Sequence, residues 1–264
     1  MPSHEVLFMP NESSYSHAAD FVGLAPAGSF ECLVNRGYSA VFIRIFEAEN
    51  GGKIDGDALE NIQNARKAKL DVELFATLNV TARGAKEQVG EIIDFLKAQQ
   101  IHMKSLWIQL TNPIQWPADH YQNAMFLIDA VTTLHVSGII PGIYTSIYDS
   151  MQILGFRTNE ADHNQSILSS TLNQTDGPHD MKILMWYWNT NGEGDDGESP
   201  PNFSDYRPIM LIPQPTVKQF AQAEWICGMN INRSAYGFLY GKNGENLRKK
   251  GFPRKHGKRQ HSEV

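Results

Sequence analysis

A lone carboxylate, Asp20, closes the apolar stretch that begins at Ala18. Gln109 and Thr111 end another such stretch, SLWIQLT, and at a spacing of two they point to the same side of a strand. Tyr144, Trp186, Tyr187, Trp188, Gln219, Asn230 and Asn232 follow on the later segments. Together these residues offer one strong acceptor, amides and a hydroxyl that both donate and accept, and flat apolar rings. That is equipment for hydrogen bonding and stacking. An amide and an aliphatic hydroxyl hold no proton that can be given up near neutral pH. Read singly, Asp20 is as well explained as a loop cap or a surface charge, and Gln109 and Thr111 as ordinary polar ends of a strand. The run Trp186-Tyr187-Trp188 alternates faces, so one face belongs to a core and the other to a pocket, with nothing local to say which.

Other polar groups are weaker candidates. Glu47, just beyond a strand, and Glu73, inside one, are possible further carboxylates, though a solvated charge and a paired charge explain them as well. The acid run Glu193, Asp195, Asp196 and Glu198 lacks the ligand spacing of a calcium loop and reads as a hydrated loop. None of the nine histidines has a partner at metal or triad spacing. Two cysteines, Cys32 and Cys227, are too few for a metal site or a disulfide scaffold. No metal and no cofactor is expected.

The elements that must position these residues alternate. Apolar β-branched segments at Ala18 to Leu24, Tyr38 to Phe46, Asp71 to Leu78, Ser105 to Thr111 and Ile139 to Thr145 read as strands. Between them, helical spacing predicts helices from Asp55 to Lys69, Ala85 to Gln99 and about Asp119 to His135. Repeated β-α units of this kind build a parallel sheet, closed as a barrel or doubly wound, and the fold class is α/β. The pattern then breaks at a polar insertion over about 156–182. Ile183 to Asn189 and short strands near Met210 and Val217 follow without intervening helices, so the last third is expected to be β-rich. Residues 1–17 are expected to be flexible.

At 264 residues, 41% hydrophobic and 20% charged, the chain suits one large α/β core. No apolar run approaches the roughly 20 residues of a membrane helix, so no membrane association is expected. The net charge of -6 argues against a nucleic-acid partner. The exception is the end: RKKGFPRKHGKR, Arg248 to Arg259, makes 241–264 a basic tail expected to be disordered. Asn-x-Ser/Thr sequons at Asn11, Asn79, Asn164, Asn173, Asn202 and Asn232 suggest a secretory route. The start MPSHEVLFMPNESS carries no visible signal peptide, which points instead to the cytoplasm.

The ordered stretches ADFVGLAPAGSFECLVNRGYSAVFIR, DGDALENIQNARKAKLDVELF, LWIQLTNPIQW, GIYTSIYDSMQILG, LMWYWN, FSDY and VKQF…ICGMNINRSAY resemble the nematode-type lysozymes of glycoside hydrolase family 25, from about Ala18 to Tyr240. The resemblance implies an irregular TIM-like β/α barrel spanning 18–240. It also implies a Cys32–Cys227 bridge, a secreted or endolysosomal location, and bacterial peptidoglycan as the partner in innate antibacterial defence. In that family an Asp on the first strand matches Asp20. An Asp-x-Glu pair, with Glu as the general acid, falls on Gln109 and Thr111, and a late Asp falls on Asn230 or Asn232.

Glycosidic cleavage needs a proton donor for the leaving oxygen and a group that stabilises the sugar cation. With that pair replaced, hydrolysis is expected to be weak or lost, because positioned acid–base help is typically worth about 10²–10⁴-fold. Binding survives: Asp20, Gln109 and Thr111 keep hydrogen-bonding capacity, and Tyr144, Trp186, Tyr187, Trp188, Gln219 and Asn232 would hold the sugar. The expectation is a glycan-binding pseudoenzyme. The competing expectations are an active lysozyme using Asp20 with a relocated acid, Glu47 or Glu73, and an interaction scaffold whose sugar site is vestigial.

Overall fold

A computed structural model of the chain describes residues 15–155 and 181–237. Nine strands and five α-helices occur among them. In order they are β1 (Ser16–Phe21), α1 (Ser29–Asn35), β2 (Tyr38–Glu47), β3 (Lys53–Ile54), α2 (Ala58–Lys67), β4 (Asp71–Ala76), α3 (Ala85–Ala98), β5 (Ser105–Gln109) and α4 (His120–Val136). Then come β6 (Ile140–Thr145), α5 (Ile147–Leu154), β7 (Leu184–Trp188), β8 (Val217–Ile226) and β9 (Met229–Tyr236). The sheet runs β1-β9-β8-β7-β6-β5-β4-β2 and closes by pairing β1 with β2, with the two-residue β3 hung on the outside. Every neighbouring pair in the ring is parallel except those made by β9, which is antiparallel to both β8 and β1. The barrel is therefore irregular and β-rich at its end, as the late strands require.

Alternation along each strand divides the apolar residues into two cores. Ile43, Leu74, Ile108, Ile143 and Met185 face outward and meet the helix stripes of Ile62, Val89, Ile92, Leu127 and Val131. Phe42, Phe75, Trp107, Tyr144 and Trp186 face inward and fill the barrel. Gly142 is fixed by this filling: a Cβ there would lie 2.3 Å from the Trp107 ring. The interior is thus plugged by aromatic rings, and a ligand can enter only above them, at the carboxyl ends of the parallel strands.

Several boundaries differ from the sequence reading. β1 starts at Ser16, inside the segment expected to be flexible. α2 begins only at Ala58, because Asp55 spends its carboxylate on Arg44 and on the Asp57 N–H and does not cap the helix. Met210 lies between the two residues of an isolated bridge, Ile209 and Ile212, while Val217 opens a ten-residue strand. Helices α1 and α5 were not expected. The polar insertion, apart from its last two residues, and the basic tail fall outside the described residues.

The β8–β9 turn is the two-residue Cys227–Gly228, with φ of 54° and 78°. Left-handed geometry at both positions is what a tight hairpin between right-twisted strands requires. Cys227 is disulfide-bonded to Cys32 on α1, 195 residues away in sequence. A bridge closing so long a loop stabilises by up to about 5 kcal/mol through the unfolded chain.

Candidate functional site

The barrel mouth is built from inward-facing residues one step above the aromatic plug. Asp20 on β1 is 4% exposed. Its Oδ2 accepts a hydrogen bond of 2.8 Å from Asn232 Nδ2 on the neighbouring β9, where the two residues are directly paired. Oδ1 is buried without a partner. Burial penalises the charged form and pushes the Asp20 carboxyl up to about 7, against the pull of the Asn232 amide. Asp20 thus holds a proton up to near neutrality.

Gln109 ends β5 beside Tyr144 of β6. Its Oε1 accepts from the Thr77 hydroxyl at 2.6 Å, and its Nε2 donates to Thr111 Oγ1 at 2.9 Å. These three side chains, with Asn79, Gln115 and Trp116, line a cavity of about 360 Å³ at the ends of β2, β4 and β5. The one carboxylate in its lining is Glu49, exposed on the rim. Toward the cavity the network still presents one amide N–H of Gln109 and the hydroxyl hydrogen of Thr111. Both can bind an oxygen and neither can release a proton at ordinary pH.

Tyr144 stacks on Trp186 with ring centroids 4.0 Å apart and donates its hydroxyl to Gln219 Oε1 at 2.7 Å. Gln219 Nε2 is buried and unpartnered. Burial first, and then the charge of Asp20, raises Tyr144 well above its ordinary range, so it stays a hydrogen-bond donor. Two buried polar atoms are therefore left without partners: Asp20 Oδ1, an acceptor when the carboxyl is ionised and a donor when it is protonated, and the donor Gln219 Nε2. Buried polar atoms are rarely left this way unless a ligand or water completes them.

The three aromatic residues of β7 part company. Trp186 is fully buried in the plug, where its indole N–H reaches Ser234, and it presents no face to a ligand. Tyr187 points outward, packs on Tyr206 and donates to Asp205 at 2.7 Å. It reaches only a separate cleft of about 430 Å³ that also includes Tyr148, Trp188 and Arg207. Trp188 points to the same side as Trp186, packs against the plug and is partly exposed, and the cavity it lines is the outer cleft rather than the one beside Gln109 and Thr111. The alternation reading was right that the faces differ, but height along the strand, not face, separates Trp186 from Trp188.

A second buried carboxyl, Asp149 on α5, was missed. It accepts from the Trp188 indole at 2.8 Å, from the Ser146 hydroxyl at 3.1 Å and from the Asn112 backbone N–H. Asn112 follows Thr111, so this carboxyl is bonded to the backbone one residue beyond the position of the replaced acid. Burial raises its pKa despite those three donors. The available signal was Ser-x-x-Asp after a strand, which marks a helix start. Glu47 is paired with Arg44 and Lys53. Glu73 sits at the opposite end of the barrel from the mouth, held by Ser105 and Trp107. Asn230 is exposed on β9, two residues from Asn232.

Among known proteins, residues 11–220 match the family model described as Lysozyme-like protein 1. Lysozyme-like protein 7 of Caenorhabditis elegans is 35% identical over 227 residues, covering 86% of this chain and 74% of that protein. Probable GH family 25 lysozyme 2 of Dictyostelium discoideum is 24% identical over 209 residues, 79% of this chain and 84% of its own length. The solved structure of a family 25 glycosyl hydrolase from Bacillus anthracis shares the fold, with a TM-score of 0.55 at 12% identity over 92% of this chain and 96% of that one. The ordered motifs, the closed barrel and the matched family model agree: this chain belongs to the nematode-type lysozyme-like proteins of glycoside hydrolase family 25.

Proposed function

We propose that this barrel binds bacterial cell-wall glycan in antibacterial defence, with muramidase activity weak or lost. The observation that carries the reading is the uncharged network Thr77–Gln109–Thr111 on the wall of the cavity of about 360 Å³, whose lining does not include Asp20. A leaving sugar oxygen arriving there meets donors that hold their protons. Asp20, with its free buried oxygen, supplies one carboxyl where hydrolysis calls for a donor and a stabilising partner. The Cys32–Cys227 bridge supports an oxidising compartment, and we infer a secreted or endolysosomal location.

A test compares the wild type with Gln109→Asp/Thr111→Glu on purified peptidoglycan, following both co-sedimentation and release of reducing ends. The wild type is expected to sediment with the polymer and release nothing measurable, and the double variant to release reducing ends at a rate at least about tenfold above the assay background. Wild-type turnover abolished by Asp20→Asn would overturn the proposal.

One observation favours a second reading, an active lysozyme with a relocated acid: the buried carboxyl of Asp149, bonded to the backbone N–H of Asn112 next to Thr111. On that reading Asp149→Asn removes turnover as completely as Asp20→Asn does.

A further inference from the structure

We propose that the β8–β9 hairpin carries an outer sugar position, in which one ring of an N-acetylated glycan stacks on the Trp225 indole while the Asn230 amide bonds its acetamido group. The inference rests on the glycan-binding reading and extends it beyond the mouth.

The hairpin register places these residues. Trp225 pairs with Asn230, and Ile226 with Met229. Directly opposed residues share a face, and so do residues two apart on one strand. Trp225, Asn230 and Asn232 therefore lie on one face, and Asn232 is the residue that holds Asp20. The other face carries Glu224, Met229 and Ile231, all buried. One side of the arm is packed down and the other continues the inner wall of the barrel above the mouth.

Trp225 is 75% exposed. The other four tryptophans each spend the indole N–H on a protein acceptor: Trp107 on Glu73, Trp116 on the Thr111 carbonyl, Trp186 on Ser234 and Trp188 on Asp149. Among the described residues Trp225 has neither such an acceptor nor a packed ring face. The arm that presents it is held at both ends. The Cys32–Cys227 bridge and a 2.9 Å hydrogen bond from Ser29 Oγ to the Cys227 carbonyl fix its tip. At its base Asn232 Oδ1 accepts from the N–H of Ala223, which has a φ of 56° at the bulge in β8. A flat ring on a braced arm loses little freedom when a ligand stacks on it.

The face suits an uncharged ring. Neither Trp225 nor Asn230 carries charge, and the two exposed residues just after Asp20, Val22 and Leu24, are apolar. An apolar pyranose face covers the indole, and the amide matches an acetamido group in both donor and acceptor. The position lies on the path of a glycan strand leaving the mouth over β9.

The test measures affinity for N-acetylglucosamine oligomers of two to six sugars by calorimetry, for the wild type, Trp225→Ala and Trp225→Phe. Wild-type affinity should rise with length. Trp225→Ala should lose about tenfold on the six-sugar chain and little on the disaccharide, with Trp225→Phe retaining most of the affinity. Equal binding of the long oligomer by wild type and Trp225→Ala overturns the inference and leaves the mouth site standing. So does a loss independent of length, or a change in solution mass on mutation that marks the patch as a contact between copies of the chain. A wild type that binds no oligomer defeats the glycan-binding reading itself, and this inference with it.

Discussion

Asp20 and Asp205 stand on opposite sides of the same barrel wall and are treated in opposite ways. Asp205, outside, receives three donors: the Lys218 ammonium at 2.7 Å, the Tyr187 hydroxyl at 2.7 Å and the Asn189 amide at 2.6 Å. Burial works to raise its pKa, but those bonds and the Lys218 charge hold it below the usual carboxylate range. Asp20, inside, receives one side-chain donor and keeps a free oxygen, so burial prevails and its pKa rises to about 7. The outer carboxylate is completed by the protein and ties the loop around Asp205 to β7 and β8. The inner one keeps an oxygen that no protein donor reaches, so burial rather than pairing sets its proton affinity.

Removing the inner charge gives the largest expected effect. The unfolded chain releases the Asp20 proton near 3.8 and the folded chain only near 7. The folded state therefore binds more protons between these values, and its stability falls as pH rises through that window. Asp20→Asn should raise stability at pH 8 by up to about 4 kcal/mol, since each pH unit across the window is worth about 1.36 kcal/mol, and change it little at pH 4. Urea unfolding at the two pH values reads the difference. A pH-independent or destabilising effect would mean that Asp20 is no less satisfied than Asp205.

Breaking the outer pair should act in the opposite direction. Lys218 is fully buried, and Lys218→Met leaves Asp205 without its cation, at a cost of about 3 kcal/mol in the same measurement. A neutral outcome would show that water completes Asp205 as readily as the lysine does. The smallest effect is expected for Tyr187→Phe, which removes one of three donors and should cost about 1.5 kcal/mol with glycan binding unchanged. Weakened glycan binding in this variant would instead join the outer cleft to the site.

Much of the barrel was legible because strand and helix periods differ. α3 was expected at Ala85 to Gln99 and is found at Ala85–Ala98, its stripe of Val89, Ile92, Ile93 and Leu96 buried. α1 was missed because it has only seven residues, begins after Gly28 in left-handed geometry and has no side-chain cap. α5 was missed although Ser146 caps it, because its eight residues sit against a strand that ends in the same apolar character. In the site, residue type disclosed the neutral character of Gln109 and Thr111 at once. It did not disclose that they bond each other and Thr77, since Thr77 follows β4 and only the pairing of β4 with β5 brings it within 2.6 Å.

The sequence by itself determined chemistry: which positions can ionise, which can stack, and the alternation that sends side chains to two faces of each strand. Only the tertiary structure decided depth. Trp186 and Trp188 share a face, yet one is sealed in the plug and the other is partly exposed at the edge of the cleft beside Tyr187. Asp20 titrates near neutrality because of what surrounds it. Depth is a long-range property. It depends on how far neighbouring strands are staggered and on which distant residue, such as Asn232 beside Asp20, completes a hydrogen bond, and no local pattern of residues encodes either.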